Sequence, residues 1–233
     1  MKVKHVIVVC IVCLFSFSSA WAHALWIDTA PIGKSGTAHH VRIYYGEPSE
    51  GVLENVTDWW SDVGSFVLTI HFPDGSKKEL AVTPKSDHYT ATFTPEGNGI
   101  YALTITKPVA ETFDGHKYQF NGAAFVHVGA TPAGNADGLG DFRLLARSLG
   151  TEAVGKAISV DAHLEGQPLA DLEVTVFSPN GWQKTFRTDD KGAISFVPDR
   201  PGHYLVEALY SVDVANADHK HLHRIATWSF NID

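Results

Sequence analysis

Apolar residues recur at every second position along most of this chain. In residues 38–45, Val41, Ile43 and Tyr45 fall on one face and His40, Arg42 and Tyr44 on the other. A period of two is the mark of a strand with one buried face. The same pattern predicts strands over residues 25–27, 65–72, 89–93, 100–105 and 118–128. A second set follows at 158–164, 172–177, 184–187, 193–197, 204–210 and 221–232. Turn residues punctuate them, as at Pro73-Asp74-Gly75 and Asp114-Gly115. Few stretches carry a helical period. Residues 141–149 fit one short helix or an extended segment.

The two sets echo each other. Phe93-Thr94-Pro95-Glu96-Gly97-Asn98-Gly99-Ile100-Tyr101 aligns with Phe196-Val197-Pro198-Asp199-Arg200-Pro201-Gly202-His203-Tyr204, a shared Phe-x-Pro-acid-x-x-Gly-x-Tyr. Leu68-Thr69-Ile70 before one turn matches Val174-Thr175-Val176 before another. Strand, tight turn, strand and a Gly-x-Tyr corner are the grammar of a β-sandwich, whose corner tyrosines bond back to upstream backbone. The expected fold is therefore all-β: two tandem immunoglobulin-like or transthyretin-like sandwiches. They cover residues 23–129 and 151–233, with a Gly- and Ala-rich linker over 130–150.

Ahead of them, residues 1–22 read as a signal peptide. Lys2 and Lys4 precede an apolar run from Val6 to Phe17, and Ala20-Trp21-Ala22 is a small-x-small cleavage site. The run is too short to span a bilayer, which takes about 20 residues. Cleavage after Ala22 makes His23 the first residue of the exported chain; Ala22-His23-Ala24 offers an alternative cut. The leader implies a periplasmic protein with no membrane span once it is removed.

The whole chain carries a net charge of −8, and loss of Lys2 and Lys4 makes the exported part more acidic still. With no basic run, nucleic acid is excluded as a partner. Both cysteines, Cys10 and Cys13, lie in the leader, so the exported part relies on its core rather than on disulfides.

Histidine is the unusual component, at 13 residues. In Asp218-His219-Lys220-His221-Leu222-His223-Arg224 the alternation of a strand projects His219, His221 and His223 together. Imidazoles on one face suit a divalent transition metal: Ni, Co, Cu or Zn. An N-terminal His23 adds an α-amine beside its ring. The expected metal ligands are His23, His221 and His223, joined by His127, which points away from the core-facing Val126 and Val128. His39 and His40 point to opposite faces. His71, His88, His116, His163 and His203 lie beside turns or on polar faces and are expected to be solvated. Asp58-Trp59-Trp60-Ser61-Asp62 sits in a long connection, where the tryptophans plug the sandwich end or stack on a sugar. No nucleophile elbow, phosphate loop or His-Glu-x-x-His helix occurs, and no acid/base pair stands out. No catalytic residue is assigned.

The start Ala22-His23-Ala24-Leu25-Trp26-Ile27 resembles the mature start of a family of bacterial periplasmic proteins, a domain of unknown function often labelled a nickel-uptake transporter component. Ala123-Ala124-Phe125-Val126-His127-Val128-Gly129, Gly166-Gln167-Pro168-Leu169-Ala170 and Ala226-Thr227-Trp228-Ser229-Phe230 extend the resemblance, as do Thr188-Asp189-Asp190-Lys191-Gly192 and Pro201-Gly202-His203-Tyr204. The resemblance implies a periplasmic, non-enzymatic protein tied to nickel or cobalt uptake through a membrane transporter component, with His23 as the family's leading histidine. Two alternatives stand beside a metal carrier: a structural or adhesion module whose histidines are incidental, and a copper-dependent monooxygenase with a histidine brace.

Overall fold

The computed structural model describes residues 23–129, 139–146, 153–215 and 218–232. Residues 1–22, read above as a leader, and most of the stretch read as a linker lie outside the described residues. The strands are β1 (Ala24–Thr29), β2 (His39–Glu47), β3 (Leu68–His71), β4 (Lys77–Leu80), β5 (Tyr89–Phe93), β6 (Gly99–Phe113) and β7 (His116–Val128). Then come β8 (Phe142–Ala146), β9 (Ile158–Leu164), β10 (Glu173–Phe177), β11 (Gln183–Arg187), β12 (Ala193–Phe196), β13 (Gly202–Asp213) and β14 (His221–Ile232). Four two-residue bridges complete the sheets. Helix among the described residues is confined to two 3-10 turns, Val56–Asp58 and Val63–Ser65. No described helix is long and apolar enough to cross a membrane.

The alternation predicted most of these elements, and the all-β class is what the structure has. Two differ. Phe142–Ala146, inside the stretch read as linker, is a strand, because Phe142 and Leu144 alternate into a buried core. Lys77–Leu80 carries almost no apolar signal and is a strand because it pairs with β3 across the Asp74-Gly75 turn.

The halves are joined through one sheet. Strands β11-β10-β13-β14-β7-β6-β3-β4 lie side by side, so N-terminal and C-terminal strands share a nine-stranded sheet, the ninth being the Ile32–Gly33 bridge on β7. The junction is a parallel pairing of β7 with β14, from His116 opposite His221 to Ala123 opposite Trp228. A parallel neighbour requires strands far apart in sequence, and these stand about a hundred residues apart. Each joining strand is buried on both faces. Phe120, Ala124 and Val126 of β7 and Ile225 of β14 enter an N-terminal core under the small sheet β1-β2-β5. Ala123 and Phe125, with Ala226, Trp228 and Phe230, enter a C-terminal core under β8-β9-β12. The result is three layers with two cores on opposite faces of the shared sheet.

Both corner tyrosines bond as the repeated motif predicts. Tyr101 donates to the Gly97 carbonyl (2.9 Å) and Tyr204 to the Arg200 carbonyl (3.1 Å). Trp59 is the plug: it is buried against Tyr45, Phe66 and Tyr89.

Candidate functional site

Strand β1 is the edge of the small sheet, paired on one side only with β2. An unpaired edge exposes backbone groups that need partners. Here β14 supplies them from its side chains. Thr227 donates to the Leu25 carbonyl (2.8 Å), Ser229 to that of Ile27, and Asn231 to that of Thr29 (3.1 Å). The N-terminal strand is thus bound along the C-terminal strand in a parallel sense, and His23 falls level with Ile225, two residues from His223.

His23 and His223 consequently line one cavity of about 520 Å³, with Tyr45, Glu54, Trp60 and Tyr118 among its walls. Its lining is mainly aromatic and apolar, with a few polar groups, as in small-ligand and ion sites generally. The connection carrying Glu54 and Trp60 is anchored twice. Glu54 N–H donates to the Tyr45 carbonyl, and Asp62 accepts from Lys107 Nζ (2.6 Å) and the Ala110 amide (2.7 Å). Glu54 Oε1 meets His23 Nε2 at 2.5 Å. The His23 ring lies 5.1 Å from that of Tyr45. Burial, then the charges of Glu54 and Glu47, push the Tyr45 phenol above its usual range, so it stays neutral.

Beside the cavity three imidazoles stack. His116 lies 4.7 Å from His221 and 4.9 Å from His223, ring centre to ring centre, and Tyr118 stacks on His223 at 5.0 Å. The parallel register places them so: His116 is opposite His221, and Tyr118 opposite His223. His221 Nδ1 contacts Asp213 Oδ1 at 2.8 Å. A carboxylate only accepts, so Nδ1 carries a proton. His223 Nδ1 meets Ser211 Oγ (2.7 Å), and its Nε2 meets His116 Nδ1 at 2.6 Å. Burial, then the neighbouring His116 and His221, hold His223 below the ordinary histidine range and keep it neutral near pH 7.

Of the four expected ligands, the structure brings His221 and His223 together and sets His23 across the same cavity from His223. His127 is at the far end of β7, eleven residues from His116, with its backbone amide on the Pro31 carbonyl (2.7 Å). At about 3.3 Å per residue that is more than 30 Å away. His116, expected to be solvated, is half-buried in the cluster. It was missed because only the parallel pairing across a hundred residues makes it a neighbour of His221. His71 and His203 are likewise not simply solvated: His71 bonds to Thr104 (2.9 Å), and burial lowers both pKa values. His39 is buried, and His40 faces out, as the alternation predicts. Among the described residues, no three His, Cys, Asp or Glu side chains converge as a ready metal site. The 2.6 Å contact suits a shared proton. Two nitrogens held tetrahedrally at the Zn–N distance would stand about 3.3 Å apart.

The fold and these walls define an all-β, three-layer protein with a histidine-flanked aromatic cavity. The chain belongs to the DUF4198 family, a domain of unknown function, whose model matches residues 20–212. No curated protein matches the sequence. Among solved structures it is similar to a mutant alpha-2-macroglobulin from Salmonella at 10% identity and TM-score 0.32, covering 89% of this chain and 14% of that one. It is also similar to an ice-binding, Ca2+-stabilized adhesin of an Antarctic bacterium at 13% identity and TM-score 0.26, covering 90% and 49%. A DUF4785 family protein from Legionella pneumophila matches at 13% and 0.33, covering 78% and 50%. The chain therefore spans half or less of each of these proteins.

Proposed function

We propose that this chain is an exported protein that binds a divalent transition metal through His116, His221 and His223, for uptake or delivery through a membrane partner. The observation that carries the reading is the orientation of the two β14 imidazoles. Asp213 holds His221 by Nδ1, and Ser211 is placed to hold His223 in the same way. The opposite nitrogen of each ring, Nε2, is left for another partner, and in His223 it faces His116 Nδ1 at 2.6 Å; outer-layer acceptors orient metal-binding histidines in this way. Neutral rings are what metal coordination needs. His116 Nδ1 and His223 Nε2 would be the facing donors, the proton between them passing to His116 Nε2 or to solvent, and they would need a wider spacing than their 2.6 Å contact. His23 is outside this donor set, since Glu54 already holds its ring. His127 is too distant to join.

The donor set is all nitrogen, which favours Ni, Co, Cu or Zn over Mg or Ca. The test is calorimetry of chelator-treated protein with each of the four metals. A single site should appear, and His223→Ala should weaken it at least tenfold while His127→Ala leaves it unchanged. Equal affinity in the parent, His116→Ala and His223→Ala proteins would remove this reading.

A further inference from the structure

Three carboxylates gather around the start of β1. Glu54 is paired with the His23 ring. Glu47 ends β2; since Ala24 pairs with Gly46, the next position on that ladder sets Glu47 level with His23. The Val52 carbonyl packs so close over Gly46 that a Cβ there would stand 2.1 Å from it, so only glycine fits beside Glu47, which pairs with Val52. Glu47 is only 8% exposed, and its Oε1 accepts the Ser49 hydroxyl (2.8 Å). Its Oε2 is shut away from solvent with no donor. Glu207 faces it from β13, in register with Thr227, the residue that bonds Leu25. Glu207 Oε2 is also enclosed without a donor. Burial, reinforced by the Glu47 charge, pushes Glu207 up to about 8.

Without a cation the pair keeps one charge at pH 7, on Glu47, and two neighbouring buried carboxyl oxygens without hydrogen-bond partners are costly, since such groups normally have one. The partner that fits is one cation with several N–H groups. Leu25, Ile27 and Thr29 turn their carbonyls to β14. By the same alternation His23 turns its backbone nitrogen towards that surface at Ile225, one register step from the pair Thr227–Glu207. We propose that the α-ammonium of His23, freed by cleavage after Ala22, is the counter-ion of Glu47 and Glu207. The inference rests on that cut and not on the metal reading. It gives export a structural consequence: removing the leader supplies the charge that the buried pair lacks. It also keeps the amine protonated, so that His23 does not chelate through it.

The test compares protein made with His23 as a free first residue against the same protein N-acetylated, both in chelator. The free form should melt several degrees higher at pH 7. Its amine, titrated by competitive acylation, should have a pKa at least one unit above the ordinary value of about 8. Glu207→Gln should bring that pKa back towards 8, a readout that needs only the variant's folded fraction. Unchanged melting on acetylation together with an amine titrating near 8 overturns the proposal. Intact mass of the exported protein gives the cut separately. A terminus other than His23 overturns the proposal for the exported form and leaves the three-imidazole site untouched.

Discussion

Thr227 Oγ1 donates a 2.8 Å hydrogen bond to the Leu25 carbonyl, across 202 residues of sequence. Thr227 is 1% exposed and Leu25 fully buried, so no water replaces that donor. Thr227→Val keeps the shape and leaves a buried acceptor bare, which costs about 1–3 kcal/mol. In a chain of this size the melting temperature should fall by roughly 2–10 °C. Thermal unfolding of metal-free protein measures it; an unchanged midpoint would show that β1 is held by packing alone.

Metal affinity should separate the histidines by place rather than by proximity in sequence. His116→Ala is expected to weaken binding at least tenfold. His219→Ala, one residue pair before β14, should change it little. Asp213→Asn should have a smaller effect than loss of a ring, within the ~10–100-fold range typical of outer-layer partners. Calorimetry of the three variants against one metal decides the order.

Acid should destabilise the metal-free protein. Burial lowers the folded-state pKa of His223, with His116 and His221 adding to it, while the unfolded chain keeps the ordinary value of about 6.5. The unfolded state therefore binds more protons below that value, and stability falls as pH drops through it. The loss levels off once pH passes below the depressed folded value. Metal should be released over the same range. Melting curves at pH 7 and pH 5 should differ less in His223→Gln than in the parent; an equal difference would assign the effect to His39, His71 or His203, which burial also lowers.

Tyr101 joins its own corner twice, donating to the Gly97 carbonyl and accepting from the Gly97 amide (3.1 Å). Tyr204 makes one backbone bond, to Arg200, and reaches Asp199 at 3.3 Å. Tyr101→Phe should cost about 1–2 kcal/mol, read as a lower midpoint in urea with an unchanged slope. An unaltered midpoint would show that the corner is packed rather than bonded.

What the sequence determined by itself was local. Parity along each strand separated Val41 from His40 and His39 from His40, because a side chain's face depends only on its own backbone. The repeated Phe-x-Pro-acid-x-x-Gly-x-Tyr marked both corners for the same reason. Parity also set His221 and His223 on one face. It had no means to find His116, since a parallel neighbour is chosen by the burial of both faces of β7 and β14, a property of the assembled sheet. The same long-range choice carried His127 to the opposite end, brought β1 onto β14, and enclosed Glu47 with Glu207. Strand identity follows from a period of two, whereas strand adjacency follows from which apolar faces can be covered at once, and only the tertiary structure decides that.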